Sequence, residues 1–325
     1  MNRRIFLSSA TVAFAALLPA MNHVAWAQDY PTRAIHLVSS GPPGAPPDIL
    51  ARFYGEKLSQ DLKQPVVVEN RAGASGTIGT EAVVRARPDG HTLLFTADLP
   101  LTMAPALIQL RFDPLRDLTP IAAVAKADNI LVVNPSAGIR SLAELVAAAK
   151  ARPGVLTFSS AGNASPAHLC GEMIKHQAGI DLIHVPYAGS TPAMNAVLAG
   201  DVTMFCGPIP LALPHVKAAS VHALGVTGVE SSPLLPELAP LSAGYPGLFV
   251  SQWYGLLAPA ATPASVEGVL ESELKKIFAD PELQRRLIPL GLDPEWKSGA
   301  DLSRRIASDT AKWRDFIKAA NIRQE

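Results

Sequence analysis

The sequence predicts an α/β protein of two lobes built on mostly parallel sheets. Short apolar runs alternate with longer helical patterns along nearly the whole chain, three of those runs end in turn-rich loops that open straight into helices, and 325 residues exceed one typical domain. An N-terminal segment is set aside first. Arg3 and Arg4 supply charge, residues 5–18 an apolar stretch and Ala25-Trp26-Ala27 a small-residue cleavage pattern. Residues 1–27 therefore read as a signal peptide cleaved near Ala27, with either the general secretory or the twin-arginine route open.

Strands are expected at 35–38, 66–68, 93–95, 130–133, 156–158, 183–185, 202–205 and 223–226, each a short apolar run bounded by turn residues. Helices are expected at 49–62, 142–151, 167–178 and 264–279, with Ser141 and Glu144 forming a capping box ahead of Leu145. Residues 302–320 carry Ile306, Trp313, Phe316 and Ile317 at helical spacing, which reads as an amphipathic helix packed on a lobe surface. The Pro-rich residues 231–240 read as a long ordered loop.

Three strand-to-helix turns are the most informative features. Ser160-Ala161-Gly162-Asn163-Ala164-Ser165 ends in Pro166, a favoured first helical residue, with Ser165 as N-cap. Gly41-Pro42-Pro43-Gly44-Ala45-Pro46-Pro47-Asp48 repeats the arrangement with fewer N–H donors, and Tyr187-Ala188-Gly189-Ser190-Thr191-Pro192 repeats it again. Free N–H groups at helix starts suit an anion, and open α/β sheets hold ligands outside the carboxyl ends of their strands.

Formal net charge is zero, and removing residues 1–27 takes away two arginines and no acid, so neither nucleic acid nor an anionic membrane surface is implied. No later apolar run reaches the roughly 18 residues of a spanning helix. The two cysteines, Cys170 and Cys206, exclude a disulfide-dense scaffold and are expected to be unpaired small apolar side chains. Seven mature histidines and many serines form no G-x-S-x-G elbow and no zinc spacing, and Gly73, Gly76 and Gly79 match neither nucleotide loop. Asp48 reads as a cap and His168 as a local hydrogen-bonding residue, each with a ligand role as the alternative. Asp98, after the third strand, either receives an ammonium or hydroxyl or is a solvated loop acid; Trp253 and Tyr254 either stack on a ligand or fill core.

Several motifs in order give a resemblance: Ile49-Leu50-Ala51-Arg52, Pro65-Val66-Val67-Val68-Glu69-Asn70-Arg71, Pro88-Asp89-Gly90, Ser160-Ala161-Gly162-Asn163, His184-Val185-Pro186-Tyr187, Ala212-Leu213-Pro214-His215 and Ala258-Pro259. Over essentially its full length the chain resembles the Bug proteins, extracytoplasmic receptors of tripartite tricarboxylate transporters. The resemblance implies a type II periplasmic binding fold with a double-crossover hinge, one lobe from 28–127 plus 220–325 and the other from 128–219. It implies a periplasmic, monomeric receptor without cofactor, metal or catalytic residue, delivering a small carboxylate to membrane permease subunits; a sensor module with the same fold is the alternative. Carried over residue by residue, the ligand site falls on Pro42, Pro43, Gly44, Ala45 and Asp48, on Ala97 and Asp98, on Ser160, Ala161, Asn163, Ala164, Ser165 and His168, and on Tyr187, Cys206 and Gly207. The chain departs from the family in that cleft, with prolines in the first loop and fewer hydroxyls, which shifts the expected solute to a monocarboxylate, aromatic or amphoteric, held by the Asn163 turn with Asp98 opposite.

Overall fold

The computed structural model describes residues 30–163, 165–320 and 322, so the signal-peptide segment and Ala164 lie outside the described residues. The order is β1 (Ile35–Ser39), α1 (Pro46–Leu62), β2 (Val66–Asn70), α2 (Thr77–Val84), β3 (Thr92–Ala97), the one-turn helices α3 (Leu99–Thr102) and α4 (Ala104–Leu107), and β4 (Leu118–Val133). Then come α5 (Leu142–Ala151), β5 (Thr157–Ser160), α6 (Pro166–Ala178), β6 (Ile183–Pro186), α7 (Ser190–Ala199), β7 (Met204–Pro208), α8 (Ile209–Lys217) and β8 (His222–Val226). The chain ends with β9 (Ser251–Pro259), α9 (Ala264–Phe278), α10 (Pro281–Leu287), β10 (Asp293–Ser298) and α11 (Gly299–Ala319).

The strands run in the order β2-β1-β3-β9-β4-β7-β5-β6, with β10 and β8 also on β4. Parallel pairs β1–β2, β1–β3, β5–β6 and β5–β7 form the two flanks, the α/β pattern expected of strands joined by crossover helices. The centre is antiparallel. Residues 118–128 of β4 pair with β9 and β10, and residues 129–133 pair with β7 and β8, so one long strand belongs to both sheets. Strand β8 thus extends the second sheet, whereas a division at residue 220 had grouped it with the first.

The chain passes between the sheets again after β8, and Thr227 ties the two crossings together. Its Oγ1 accepts from Asn129 N–H at 2.8 Å and donates to Val250 O at 2.7 Å. Its backbone N–H donates to Asn129 O at 2.8 Å, and its carbonyl accepts from Val250 N–H at 3.0 Å. Every polar group of this fully buried residue is therefore used between the two strands.

Apolar faces of the helices close over each sheet. Leu50, Tyr54 and Leu58 of α1 bury against Leu37 and Phe95, and Ile174 and Met173 of α6 bury against Leu131, Phe158 and Met204. Each fully buried leucine contributes about 1.5–3 kcal/mol relative to exposure. Helix α11 spans both: Leu302 and Ile306 pack with Trp253 on the first sheet, while Trp313 and Ile317 join the second core. The capping box forms in part, since Ser141 Oγ accepts from Glu144 N–H at 3.1 Å but Glu144 reaches back to Arg140 N–H at 2.7 Å.

The cysteines are paired, contrary to the expectation. Cys170 on α6 and Cys206 on β7 are bonded with Cα atoms 6.2 Å apart. Helix α6 packs directly on β7 through a shared core, which brings two residues 36 apart in sequence within bonding reach.

Candidate functional site

The carboxyl ends of β1, β3 and β5, the shared strand β4 and its partner β9 surround a cleft of about 850 Å³. Of the residues expected to bind, Pro42, Gly44, Ala45, Ala97 and Ala161 line it; Pro43 does not. Pro46, Pro47 and Pro100 add apolar surface on one side, and Pro166, Pro208 and Pro210 on the other. Among the described residues, no Lys, Arg or His lines the cleft.

The first loop spends its donors on itself. Gly41 N–H goes to Ser39 Oγ at 3.3 Å, Gly44 N–H to Asp48 Oδ2 at 2.8 Å and Ala45 N–H to Pro42 O at 3.1 Å. Prolines 42, 43, 46 and 47 have none to give. Asp48 is a brace for this loop and not part of the cleft wall: Asn70 Nδ2 lies 2.8 Å and Arg52 Nε 2.9 Å from its Oδ1. Burial pushes its carboxyl upward, but hydrogen bonds from Gly44, Arg52 and Asn70 and the Arg52 charge outweigh that and hold it below the ordinary value.

The second turn is built as expected and faces the cleft through Ala161, Pro166 and Ala167. Ser165 Oγ accepts from His168 N–H at 3.3 Å and donates to Gly162 O at 2.7 Å, capping α6. Ser160 is buried behind the turn; its Oγ accepts from Gly162 N–H at 3.1 Å and lies 2.6 Å from His184 Nε2. His168 and His184 stack at 4.0 Å with Phe158 beyond, and Glu172 lies 3.9 Å from His168 Nε2. Burial pushes both imidazoles down to about 4, with Lys175 adding to it at His168 and His168 adding to it at His184. Both rings are neutral at pH 7, and the stack supports the turn from behind the cleft wall.

The other expected residues lie elsewhere. Asn163 is exposed and outside the lining. Tyr187 gives its N–H to Ser160 O at 3.0 Å and packs into the core under α7. Cys206 is buried in the disulfide, and Gly207 is a packing glycine on β7, where a Cβ would stand 1.9 Å from the Phe205 ring. Asp98 is turned away from the cleft toward α11: it is 1 % exposed with neither carboxylate oxygen hydrogen-bonded. Burial and the Asp309 charge push it up to about 8 against the opposing Arg305, so it is mostly protonated at pH 7 and does not stand opposite the Asn163 turn.

The third strand-to-helix turn also reaches the cleft, through Ser190 at the uncapped start of α7, and Tyr254 lines it from β9. Sequence reasoning missed two parts of the wall. One is the turn at residues 72–76, whose glycines Gly73 and Gly76 have φ of 125° and 90°. The other is the rest of the floor, made by Ala127, Asp128 and Asn129 of β4 with Gln252 of β9.

Comparisons with known proteins agree with this architecture. The sequence profile described as "Tripartite tricarboxylate transporter family receptor" matches residues 50–322. Protein BugT of Bordetella pertussis is 32% identical over 297 residues, covering 90% of each chain. Among solved structures, R. palustris Rpa4515 with adipate superposes with a TM-score of 0.75 at 29% identity, covering 90% of this chain and 99% of that one. MatC from Rhodopseudomonas palustris with bound malate superposes with a TM-score of 0.72 at 27% identity, covering 89% and 100%. With a two-sheet frame, a cleft at the strand ends and matches that span nearly the whole chain, this protein belongs to the receptor family of the tripartite tricarboxylate transporters.

Proposed function

We propose that this chain is an exported periplasmic receptor that captures a small carboxylate in the cleft and delivers it to the membrane permease of a tripartite tricarboxylate-type transporter. The observation that carries the reading is the 850 Å³ cleft between two sheets that share β4 and are linked again by the segment through Thr227. Relatives of the same fold hold adipate and malate. Its lobes are residues 28–127 with the chain after the second crossing, and residues 128 to about 226, with Thr227 as the hinge staple. Bending there brings the proline-lined loop and the α6 and α7 starts together around the solute, as in other hinge-closing binding proteins.

Capture and release need no covalent chemistry, and the protein acts as a monomer without a cofactor. Pro42, Gly44, Ala45, Ala97, Ala161, Ala167, Ser190 and the floor residues contact the solute; Asp48, Ser160, Ser165 and His168 position the two turns. Uptake tests the delivery step. Cells carrying the permease and this chain are expected to accumulate a labelled carboxylate that the purified protein binds, and cells lacking only this chain are expected not to. Equal uptake in both contradicts the proposal.

A further inference from the structure

The cleft floor carries two reachable polar side chains with nothing to bond. Gln252 and Tyr254 both line the cleft, and neither the Gln252 amide nor the Tyr254 hydroxyl makes a hydrogen bond among the described residues. Nor do they belong to the sealed, unpartnered polar atoms of the interior, which include Tyr54 Oη, Asp128 Oδ1 and Asn129 Nδ2. Polar groups inside a protein are as a rule satisfied, so two that stay open toward a cleft point to a ligand.

The register sets them side by side. They stand two residues apart on β9, so their side chains share a face at roughly 7 Å along the strand. Ala127 lies opposite Gln252, and Ala125 and Ala97 lie opposite Tyr254 on β4 and β3. Only methyl groups flank them on that face, so the two longer side chains rise above their neighbours. The Tyr254 ring packs with these alanines in the first core, which leaves the hydroxyl as its polar tip.

Electrostatics decide what the pair can hold. Among the described residues the charged side chain of the lining is Asp128, paired with Lys126 at 3.1 Å. An anionic group at this floor would meet an acid and no free cation, and two neutral groups would not replace its hydration. Burial pushes the Tyr254 phenol above its ordinary value, with Asp98 adding to it, so the hydroxyl keeps its proton and donates. Gln252 offers both a donor and an acceptor. Ser40 Oγ lies 2.8 Å from Thr96 Oγ1, Ser75 is exposed, and Ser190 belongs to the opposite wall.

We infer that Gln252 and Tyr254 determine which solute is accepted, by reading an uncharged hydrogen-bonding group, an amide or a hydroxyl, at the end of the solute away from its carboxylate. This deepens the receptor reading and rests on it. An amide gives its N–H to Gln252 Oε1 and accepts from the Tyr254 hydroxyl, and an alcohol does both through one oxygen. A methyl end leaves both side chains unpaired beneath the solute, and a carboxylate end brings a second charge to the floor.

Titration calorimetry of the purified protein with two matched series tests this: hexanoate, its ω-hydroxy acid, adipate monoamide and adipate, and benzoate with its para-hydroxy, para-carboxamide and para-carboxylate counterparts. In at least one series the amide or hydroxy acid is expected to bind about ten-fold more tightly than both the plain acid and the dicarboxylate. Tyr254→Phe and Gln252→Met, each close in shape to the residue replaced, are expected to shrink that preference at least five-fold, and either serves if the other does not fold. A plain acid or dicarboxylate that binds as tightly as its amide and hydroxy counterparts in both series, or a preference indifferent to the variants, overturns the inference and leaves the receptor reading standing. Failure of the folded protein to bind any of these acids overturns both.

Discussion

Asp98 follows the last residue of β3 and opens the one-turn helix α3, and that change of backbone decides what it does. Ala97 ends the strand facing the cleft, whereas Asp98 already has helical φ −64° and ψ −32° at the start of α3, and its carboxyl feels the charges of Asp309 and Arg305 on α11. The folded protein keeps a proton on this carboxyl up to about pH 8, whereas the unfolded chain releases it near 3.8. The stability tied to that proton is complete below the unfolded value and is lost as pH rises toward 8, with a limiting slope of about 1.4 kcal/mol per pH unit. Asp98→Asn keeps the shape without the charge. Its melting temperature relative to wild type is predicted to climb between pH 5 and pH 8, and a constant difference across that range contradicts the assignment. His168 and His184 act in the opposite sense: held down to about 4 by burial, they contribute stability above their unfolded value of 6.5 that is lost as pH falls toward 4. A sequence reading could name Asp98 as an acid beside the third strand, but not its facing, because the residue at which the strand gives way to the helix α3 decides whether its side chain meets cleft or core.

Among the elements, Thr227 and the disulfide make separate predictions. Thr227→Val is nearly isosteric and removes the hydroxyl that serves both Asn129 N–H and Val250 O. Stranding those two buried groups should cost about 1–3 kcal/mol, read as a lower denaturant midpoint at unchanged slope. The Cys170–Cys206 bond closes a loop of 36 residues, and replacing both cysteines by serine should cost about 3–4 kcal/mol on the chain-entropy estimate. Equal stability of the oxidised protein and the double serine variant contradicts it. The parallel flanks were legible because β1, β3 and β5 are short runs followed by turns that open into helices, two of them headed by proline. The antiparallel centre was not. The first half of β4 is alanine-rich, contains Pro120 and has irregular register at 120–122 and 123–125, so it lacks both β-branched composition and clean alternation. Strand β9 carries Gly255, whose added Cβ would meet Ala122 O at 2.6 Å, and β10 is a polar strand paired on one side only.

At the scale of the molecule, those unrecognised strands are the ones that build the cleft floor, and β4 is the strand that both sheets share. The two turns at the rim were readable from local chemistry, while Asn129, Gln252 and the Gly73 turn reach the cleft through tertiary pairing that no local pattern encodes. On the proposed receptor reading the two sheets close on a solute across the cleft, and a solute bound only to the folded protein must stabilise it. The most direct measurement is therefore the melting temperature of the purified protein across a panel of mono-, di- and tricarboxylates. At about one hundred times its dissociation constant a ligand adds about 2.7 kcal/mol, a shift of several degrees for a protein of this size. The account predicts such a shift for at least one small carboxylate; a folded protein whose melting temperature no carboxylate raises contradicts it.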